Sequence, residues 1–439
     1  MSKMTRKLSL LLILAISCEG TNIVQYCDKI DHSDARNRTC VGGFATSFAL
    51  HNDRLVVGYP WSYLCDSSHA KPTGSILIYQ MMNNSVKRPA TEIFSPPDSK
   101  YFGTLVAINS QYIAVGAPIN DRISADPLIY VYNSDPPHEL VTKVVATAKS
   151  ISVVPSFYAT LNINEDDDSI IVGRDRDWGD GLMYIYKSSA EKSTKEWKLN
   201  QIITDNFSQG RSKAVNDNFI ASTGINRRNK VSIFRKTLFG NYSFLHTLDP
   251  FEGRGPEPEQ GRFETHLQLS DDTLRVFVPS GKLEGTLYEY KFDQTSNTFN
   301  KTAKLAQVKS DAFENRVAID DDRLVVAPYY SQYPRIVDVY KLSPSLTLEA
   351  NLISGDENVR GVSVRKNMVF MKMKRGYYED YNAAIFFYDM NTAMPSPSPS
   401  PSTSPRPSSA TCLGSVQSLF VLLVPTAVFV THHLSIHYV

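Results

Sequence analysis

Between residues 44 and 390 the apolar positions fall in short runs rather than at the three-and-four spacing of an amphipathic helix. Val106–Pro118, VAINSQYIAVGAP, holds two apolar runs around a short polar turn, the pattern of a tight β-hairpin. The second run recurs along the chain. Asp53–Pro60 reads DRLVVGYP and Asp322–Pro328 reads DRLVVAP. IAVGAP (Ile113–Pro118), SIIVG (Ser169–Gly173), FIAST (Phe219–Thr223) and LRVFVP (Leu274–Pro279) lie between them, and MVFM (Met368–Met371) follows. Aligning the third apolar position gives Val57, Val115, Val172, Ala221, Val276, Val326 and Phe370. A second series follows in step and ends in an aromatic: Tyr79, Tyr132, Tyr186, Phe234, Tyr290, Tyr340 and Tyr388.

PLIYVY and its counterparts supply a third strand, and Thr142–Ala146, Leu199–Ile203 or Leu346–Leu352 a further β-rich segment between modules. Four antiparallel strands every ~50 residues is the period of a propeller blade. The VVG runs are apolar without alternation, which suits strands buried on both faces between neighbouring blades. The fold expected is all-β, a seven-bladed β-propeller of four-stranded antiparallel blades spanning residues 44–390. Seven three-strand modules leave only six segments between them. The last blade therefore needs its fourth strand from elsewhere, and Asn22–Ile30 (NIVQYCDKI) is expected to close the ring beside the Tyr388 strand, removing an open edge.

Phe102-Gly103 followed by Val115-Gly116-Ala117-Pro118 resembles an FG-GAP repeat, the blade motif of integrin α-subunit heads and related propellers. The resemblance covers Phe44 to Met390 and is most specific in the second copy. It implies a propeller that binds an extracellular protein, and similar propellers also occur as lectins. The family's calcium loops do not carry over, because the hairpins here are too short. The spaced residues Asp175, Asp177, Gly179, Asp180 and Gly181 lack the bidentate Glu of a calcium loop and read as a turn. No metal and no cofactor is expected.

The ends are addresses. Residues 1–20 combine Lys3, Arg6 and Lys7 with an apolar run and small residues, as a secretory signal peptide does. Residues 21–43 hold the closing strand and a cysteine-bearing segment. Residues 391–409 include the Pro/Ser run of an extended stalk, and 410–439 form a GPI-attachment signal or a single membrane span. The small triplet Ser408-Ser409-Ala410, a spacer and the apolar run Leu419–Val430 place GPI attachment at Ser408. Cys27, Cys40 and Cys65 remain in the mature chain, enough for one disulfide whose pairing the sequence leaves open. Asn37, Asn83, Asn206, Asn241 and Asn300 stand in glycosylation sequons. These features locate the protein on the outer face of the plasma membrane. With 46 basic and 45 acidic side chains, the chain lacks the basic surplus that holds a nucleic-acid backbone.

Asp166-Asp167-Asp168 and Asp320-Asp321-Asp322 fall at hairpin turns, where Asn52-Asp53 and Asn216-Asp217 sit in other copies, and read as turn residues. No nucleophile, metal or phosphate-binding signature appears, so an enzyme is not expected. The candidate binding residues lie in the loops after the VVG strand. These are Tyr59, Trp61 and Tyr63 in the first module, Tyr329, Tyr330 and Tyr333 in the sixth, and Tyr377, Tyr378 and Tyr381 in the seventh. Ring closure makes those modules neighbours and gathers the aromatics on one face, where they suit a protein partner or the apolar faces of sugars. The function expected is cell-surface binding or adhesion to an extracellular protein or glycan. The alternatives are a surface lectin and a structural coat protein without a specific ligand.

Overall fold

The structure is a computed structural model that describes residues 23–24, 27–31, 44–60, 74–82, 85–97, 99, 101–117, 128–145, 158–174, 182–189, 195–204, 209–224, 230–250, 265–279, 284–309, 317–320, 322–327, 336–342, 346–353, 358–365, 367–374 and 383–392. Seven sheets account for its strands, and each forms one blade. We label the strands of a blade A to D in chain order. Blade one comprises Phe48–His51, Arg54–Tyr59, Ser75–Met82 and Ser85–Phe94; blade two, Leu105–Ile108, Tyr112–Ala117, Leu128–Asn133 and Leu140–Val145. Blade three runs Tyr158–Ile163, Ile170–Arg174, Leu182–Ser188 and Trp197–Thr204; blade four, Gln209–Val215, Phe219–Gly224, Val231–Lys236 and Tyr242–Leu248. Blade five is His266–Ser270, Thr273–Pro279, Glu284–Asp293 and Thr298–Lys309; blade six, Val317–Ile319, Arg323–Val326, Ile336–Lys341 and Thr347–Ile353. Strands A to C of blade seven are Asn358–Arg365, Met368–Lys374 and Ala383–Asp389.

The A strands of successive blades pack against one another from blade one to blade seven, which puts them innermost. Strand D of blade seven comes from the N-terminus: Asp28–Asp31 pairs antiparallel with Ala383–Asp389, Ile30 opposite Ile385. The segment expected to close the ring as one strand in fact divides. Ile23–Val24 pairs parallel with strand D of blade six, Ile23 opposite Asn351, and only Asp28–Asp31 closes blade seven. One short piece thereby covers two neighbouring outer edges that otherwise invite pairing with another chain.

The core is a ring rather than a sphere. Among the described residues, each of the seven junctions between neighbouring blades holds its own buried apolar cluster. Alternate residues of one strand serve opposite junctions: Leu55, Val57 and Tyr79 of blade one face blade seven, whereas Val56, Ile76 and Ile78 face blade two. This two-sided burial is why the VVG runs are apolar without alternation. The closing junction joins Ile30, Phe370, Ile385 and Phe387 to Phe44, Leu55, Val57, Tyr59 and Tyr79. Each large side chain buried there contributes about 1.5–3 kcal/mol.

Ladder register corrects the repeat alignment at two places. The aromatic of strand C sits opposite Leu55, Ile113, Ile170, Leu274 and Leu324 in blades one, two, three, five and six. In blade four it sits opposite Ile220, and in blade seven opposite Val369. The counterparts of Val57 are therefore Ser222 and Met371, not Ala221 and Phe370. The buried Ser222 interrupts the apolar pattern of blade four, and blade seven is apolar at every position of MVFM, so neither run marks its own register.

Candidate binding face

In each blade the A–B and C–D connections lie on one face of the disc and the B–C and D–A connections on the other, because the four strands alternate in direction. The A–B face is tied together around the whole ring. Asn109 Nδ2 in the blade two turn donates to Asn164 O and to Asp168 Oδ1 of blade three, both at 3.0 Å. Asn164 Nδ2 donates to Asn216 O of blade four at 3.2 Å, and Asn216 Nδ2 to Asp271 O of blade five at 2.7 Å. The three asparagines are one device repeated. Each side-chain oxygen accepts backbone N–H groups of its own turn, from Gln111 and Tyr112, from Asp166, and from Asn218 and Phe219. The amide nitrogen then reaches the next blade.

Arginines complete the circuit. Arg275 donates to Asp320 O of blade six at 3.3 Å and Arg323 to Asn367 Oδ1 of blade seven at 2.9 Å. Arg365 donates to Leu50 O of blade one, and Arg54 to Ser134 Oγ of blade two at 2.9 Å and to the Asp135 carboxylate. Across the inner ring, His51 Nδ1 lies 3.6 Å from Glu165 Oε2, and Ser110 N donates to the same carboxylate.

The turn aspartates act here as expected of turn residues, and they also join blades. Lys236 of blade four is 2.8 Å from Asp167 of blade three, and within blade three Lys195 is 2.9 Å from Asp168. Burial raises the Asp167 pKa, but hydrogen bonds from Lys236 and Ser169 outweigh it and hold the carboxyl below its usual value. Asp217 is raised, by burial and by the neighbouring Asp166 carboxylate. Burial lowers His51; Glu165 opposes this, but Arg365 and Arg54 add to the lowering. Burial in the ring and charged groups on neighbouring blades account for each of these shifts. Among the described residues no group of three or more His, Cys, Asp or Glu converges as metal ligands do.

The opposite face carries the longer connections. Those between strands B and C span 60–74 in blade one, 118–127 in blade two, 327–335 in blade six and 375–382 in blade seven, whereas the A–B turns of blades one and five are Asn52-Asp53 and Asp271-Asp272. Of the nine aromatic candidates, Trp61, Tyr63, Tyr329, Tyr330, Tyr333, Tyr377, Tyr378 and Tyr381 lie outside the described residues. Tyr59 is described, and it is not a surface residue. It ends strand B of blade one fully buried, its ring 5.6 Å from Phe44 in an edge-on contact. It sits one residue before the connection begins, so the alternation of the strand still directs it into the closing junction. The strands that hold the three aromatic connections belong to blades six, seven and one, which share the buried clusters of consecutive junctions.

The sequence motif marks a close approach of backbones on this face. Phe102 is fully buried, with its ring 5.5 Å from Tyr130 and 6.1 Å from Tyr132, and Gly103 has φ +95°. A Cβ on Gly58 would stand 1.9 Å from Gly103 O, and one on Gly103 would stand 2.6 Å from Ser75 O. Phe44-Ala45 is the same pair in blade one, Ala45 adopting φ +56° where blade two has glycine.

Of the sequons, Asn241 and Asn300 are exposed and described; Asn37, Asn83 and Asn206 lie outside the described residues, as do Ser408, Cys40, Cys65 and Asp175–Gly181. Cys27 Sγ donates to Phe387 O at 3.2 Å. No helix among the described residues is long and apolar enough to cross a membrane.

No protein-family model and no curated protein matches the chain. Solved structures do. The β-propeller domain of the trilobed protease of Pyrococcus furiosus matches at 10% identity and a TM-score of 0.46, covering 80% of this chain and 96% of that one. Sqt1 of Chaetomium thermophilum matches at 12% identity and a TM-score of 0.47, covering 85% of this chain and 86% of that one. The strand order of the seven sheets itself makes the chain an all-β, seven-bladed propeller of four-stranded antiparallel blades.

Proposed function

We propose that this propeller is a cell-surface binding protein of the FG-GAP type, which recognises an extracellular protein or glycan through the B–C connections of blades six, seven and one. It acts by binding and not by catalysis. One observation carries the reading: three of the longest B–C connections, on consecutive blades of a closed ring, are the ones that bear Trp61, Tyr63, Tyr329, Tyr330, Tyr333, Tyr377, Tyr378 and Tyr381. Aromatics of this kind give rigid contact area at little entropic cost. The opposite face is held instead by the belt of inter-blade hydrogen bonds.

Chain direction fits the same reading. Strand C of blade seven begins at the 375–382 connection and ends at Asp389 on the A–B face, from which Met390–Thr392 continue toward the Pro/Ser segment. The last described residues therefore lie on the A–B face, opposite the face on which the B–C connections begin. Glycan-array and cell-binding measurements on the tetramerised chain test the proposal, with a Trp61→Ala, Tyr330→Ala, Tyr378→Ala variant beside it. Tetramers are used because single weak contacts register only with avidity. Binding lost in the variant is the expected result. Binding that survives it removes the aromatic sector from the account, and no binding to either class favours a passive coat.

A further inference from the structure

Among the described residues the most exposed apolar ones are Leu238 and Phe239, at the tip of the C–D hairpin of blade four, and no described residue covers them. We propose that Asn241 carries an N-linked glycan whose first sugar lies over Phe239 and covers this tip. The inference rests on the secretory reading of the N-terminus given above.

The turn is built for it. Gly240 N donates to Thr237 O at 2.8 Å, Gly240 takes φ +76°, and Thr237 N donates to Asn241 O at 2.7 Å. This is a tight hairpin turn completed by a left-handed glycine, which brings the chain round so that Asn241 leaves the turn beside the tip. Asn241-Tyr242-Ser243 is a sequon, and Asn241 is exposed. Its side-chain oxygen accepts from Asn200 Nδ2 of blade three at 2.8 Å. Its Nδ2, the atom to which a glycan is joined, has no hydrogen-bond partner among the described residues. Attachment there leaves the Asn200 contact in place, and that contact holds the amide in one orientation. Asn300, the other exposed and described sequon, differs. It lies within strand D of blade five opposite Lys291, and its Nδ2 already donates to Ser296 Oγ at 3.5 Å.

The second observation is the tip itself. A hairpin turn ordinarily carries polar residues, and an exposed Leu-Phe pair invites association. The C–H-rich face of a pyranose is amphipathic in the way an aromatic ring is, so it covers Phe239 while its hydroxyls remain in water. A glycan beside the tip also keeps it out of a lipid surface.

The test is secretion of the full chain from a eukaryotic host, with peptide mapping of all five sequons and of the mature N-terminus. The wild type, Asn241→Gln, Phe239→Ala and the double variant are then melted with and without enzymatic removal of glycans. Occupied Asn241 is expected, with a Tm about 1–2 °C above Asn241→Gln. Phe239→Ala should keep the glycan but abolish that gap. Asn300 occupied and Asn241 bare overturns the proposal alone. A gap unchanged in Phe239→Ala overturns the covering role. No glycan at any sequon, with residues 1–20 retained, overturns the secretory reading and this inference with it.

Discussion

Gly58→Ala is expected to force blades one and two apart. The added Cβ would stand 1.9 Å from Gly103 O and 2.7 Å from Ser47 Oγ. Carbon and oxygen tolerate no approach much under ~3.2 Å, so the backbones must separate by roughly 1.3 Å. Gly103 is not free to retreat. Its N–H donates to Gly116 O at 3.2 Å, its carbonyl accepts from Ser47 Oγ at 3.2 Å, and Gly58 N donates to Ser47 O at 2.8 Å. Weakening two of these bonds costs about 2 kcal/mol, and overpacking a filled junction costs about 1–3 kcal/mol more. The sum, ~4 kcal/mol, lowers Tm by about 5 °C for a ring of this length. Gly116→Ala is the matched control. It occupies the same place in blade two, but its Cβ would meet Leu105 Cβ at 3.3 Å, relieved by a shift of a few tenths of an ångström, and the Leu105 carbonyl only at an ordinary 3.7 Å. That variant should melt within about 1–2 °C of wild type. Calorimetry on both decides the matter: equal melting points would refute the close approach of the two backbones.

Three further outcomes follow from the same geometry. Asn164→Ala removes a buried link between blades three and four and leaves Asn216 O and the Asp166 N–H without it, at a cost of about 2–3 kcal/mol by thermal melt; Asn300→Ala, on the surface, should be neutral. Ser222 is buried with no hydrogen-bond partner for its hydroxyl among the described residues, so Ser222→Ala should raise stability by about 1 kcal/mol, as Ser232→Ala need not. Burial lowers the His266 pKa to about 4, so the unfolded chain binds the extra proton between that value and about 6.5. Stability is therefore complete above pH ~6.5 and falls as pH drops toward 4; His266→Gln should flatten that profile in melts across the range.

Blade number, strand order and the role of the N-terminus are legible because they are written in repeats. An apolar VVG run with an aromatic 13–22 residues on needs no long-range knowledge, and counting modules against segments shows that one strand must come from outside. What is not legible is register where the pattern is level. Blade seven offers apolar residues on both sides of Val369, and blade four substitutes Ser222, so only pairing with Tyr388 and Phe234 fixes the faces. Tyr59 was misplaced for a related reason: composition marks where a strand ends only to within a residue, and one residue reverses a side chain. The belt of Asn109, Asn164 and Asn216 had a visible signal, an asparagine directly after each of three successive A strands. Its meaning lies in carbonyl groups of neighbouring turns, which carry no side-chain identity and leave no mark in the sequence.

Ring closure is what makes blades six, seven and one neighbours, and the functional proposal depends on it. Hydrogen exchange in Ala383–Asp389 measures it directly, with Ile30→Asp as the opened reference. If Asp28–Asp31 closes blade seven, the amides of Ala383–Asp389 that face it will exchange as slowly as those of Met368–Lys374, and Ile30→Asp will release them. Fast exchange in the wild-type chain, unchanged by Ile30→Asp, would mean an open edge at blade seven and would separate the aromatic connections from one another.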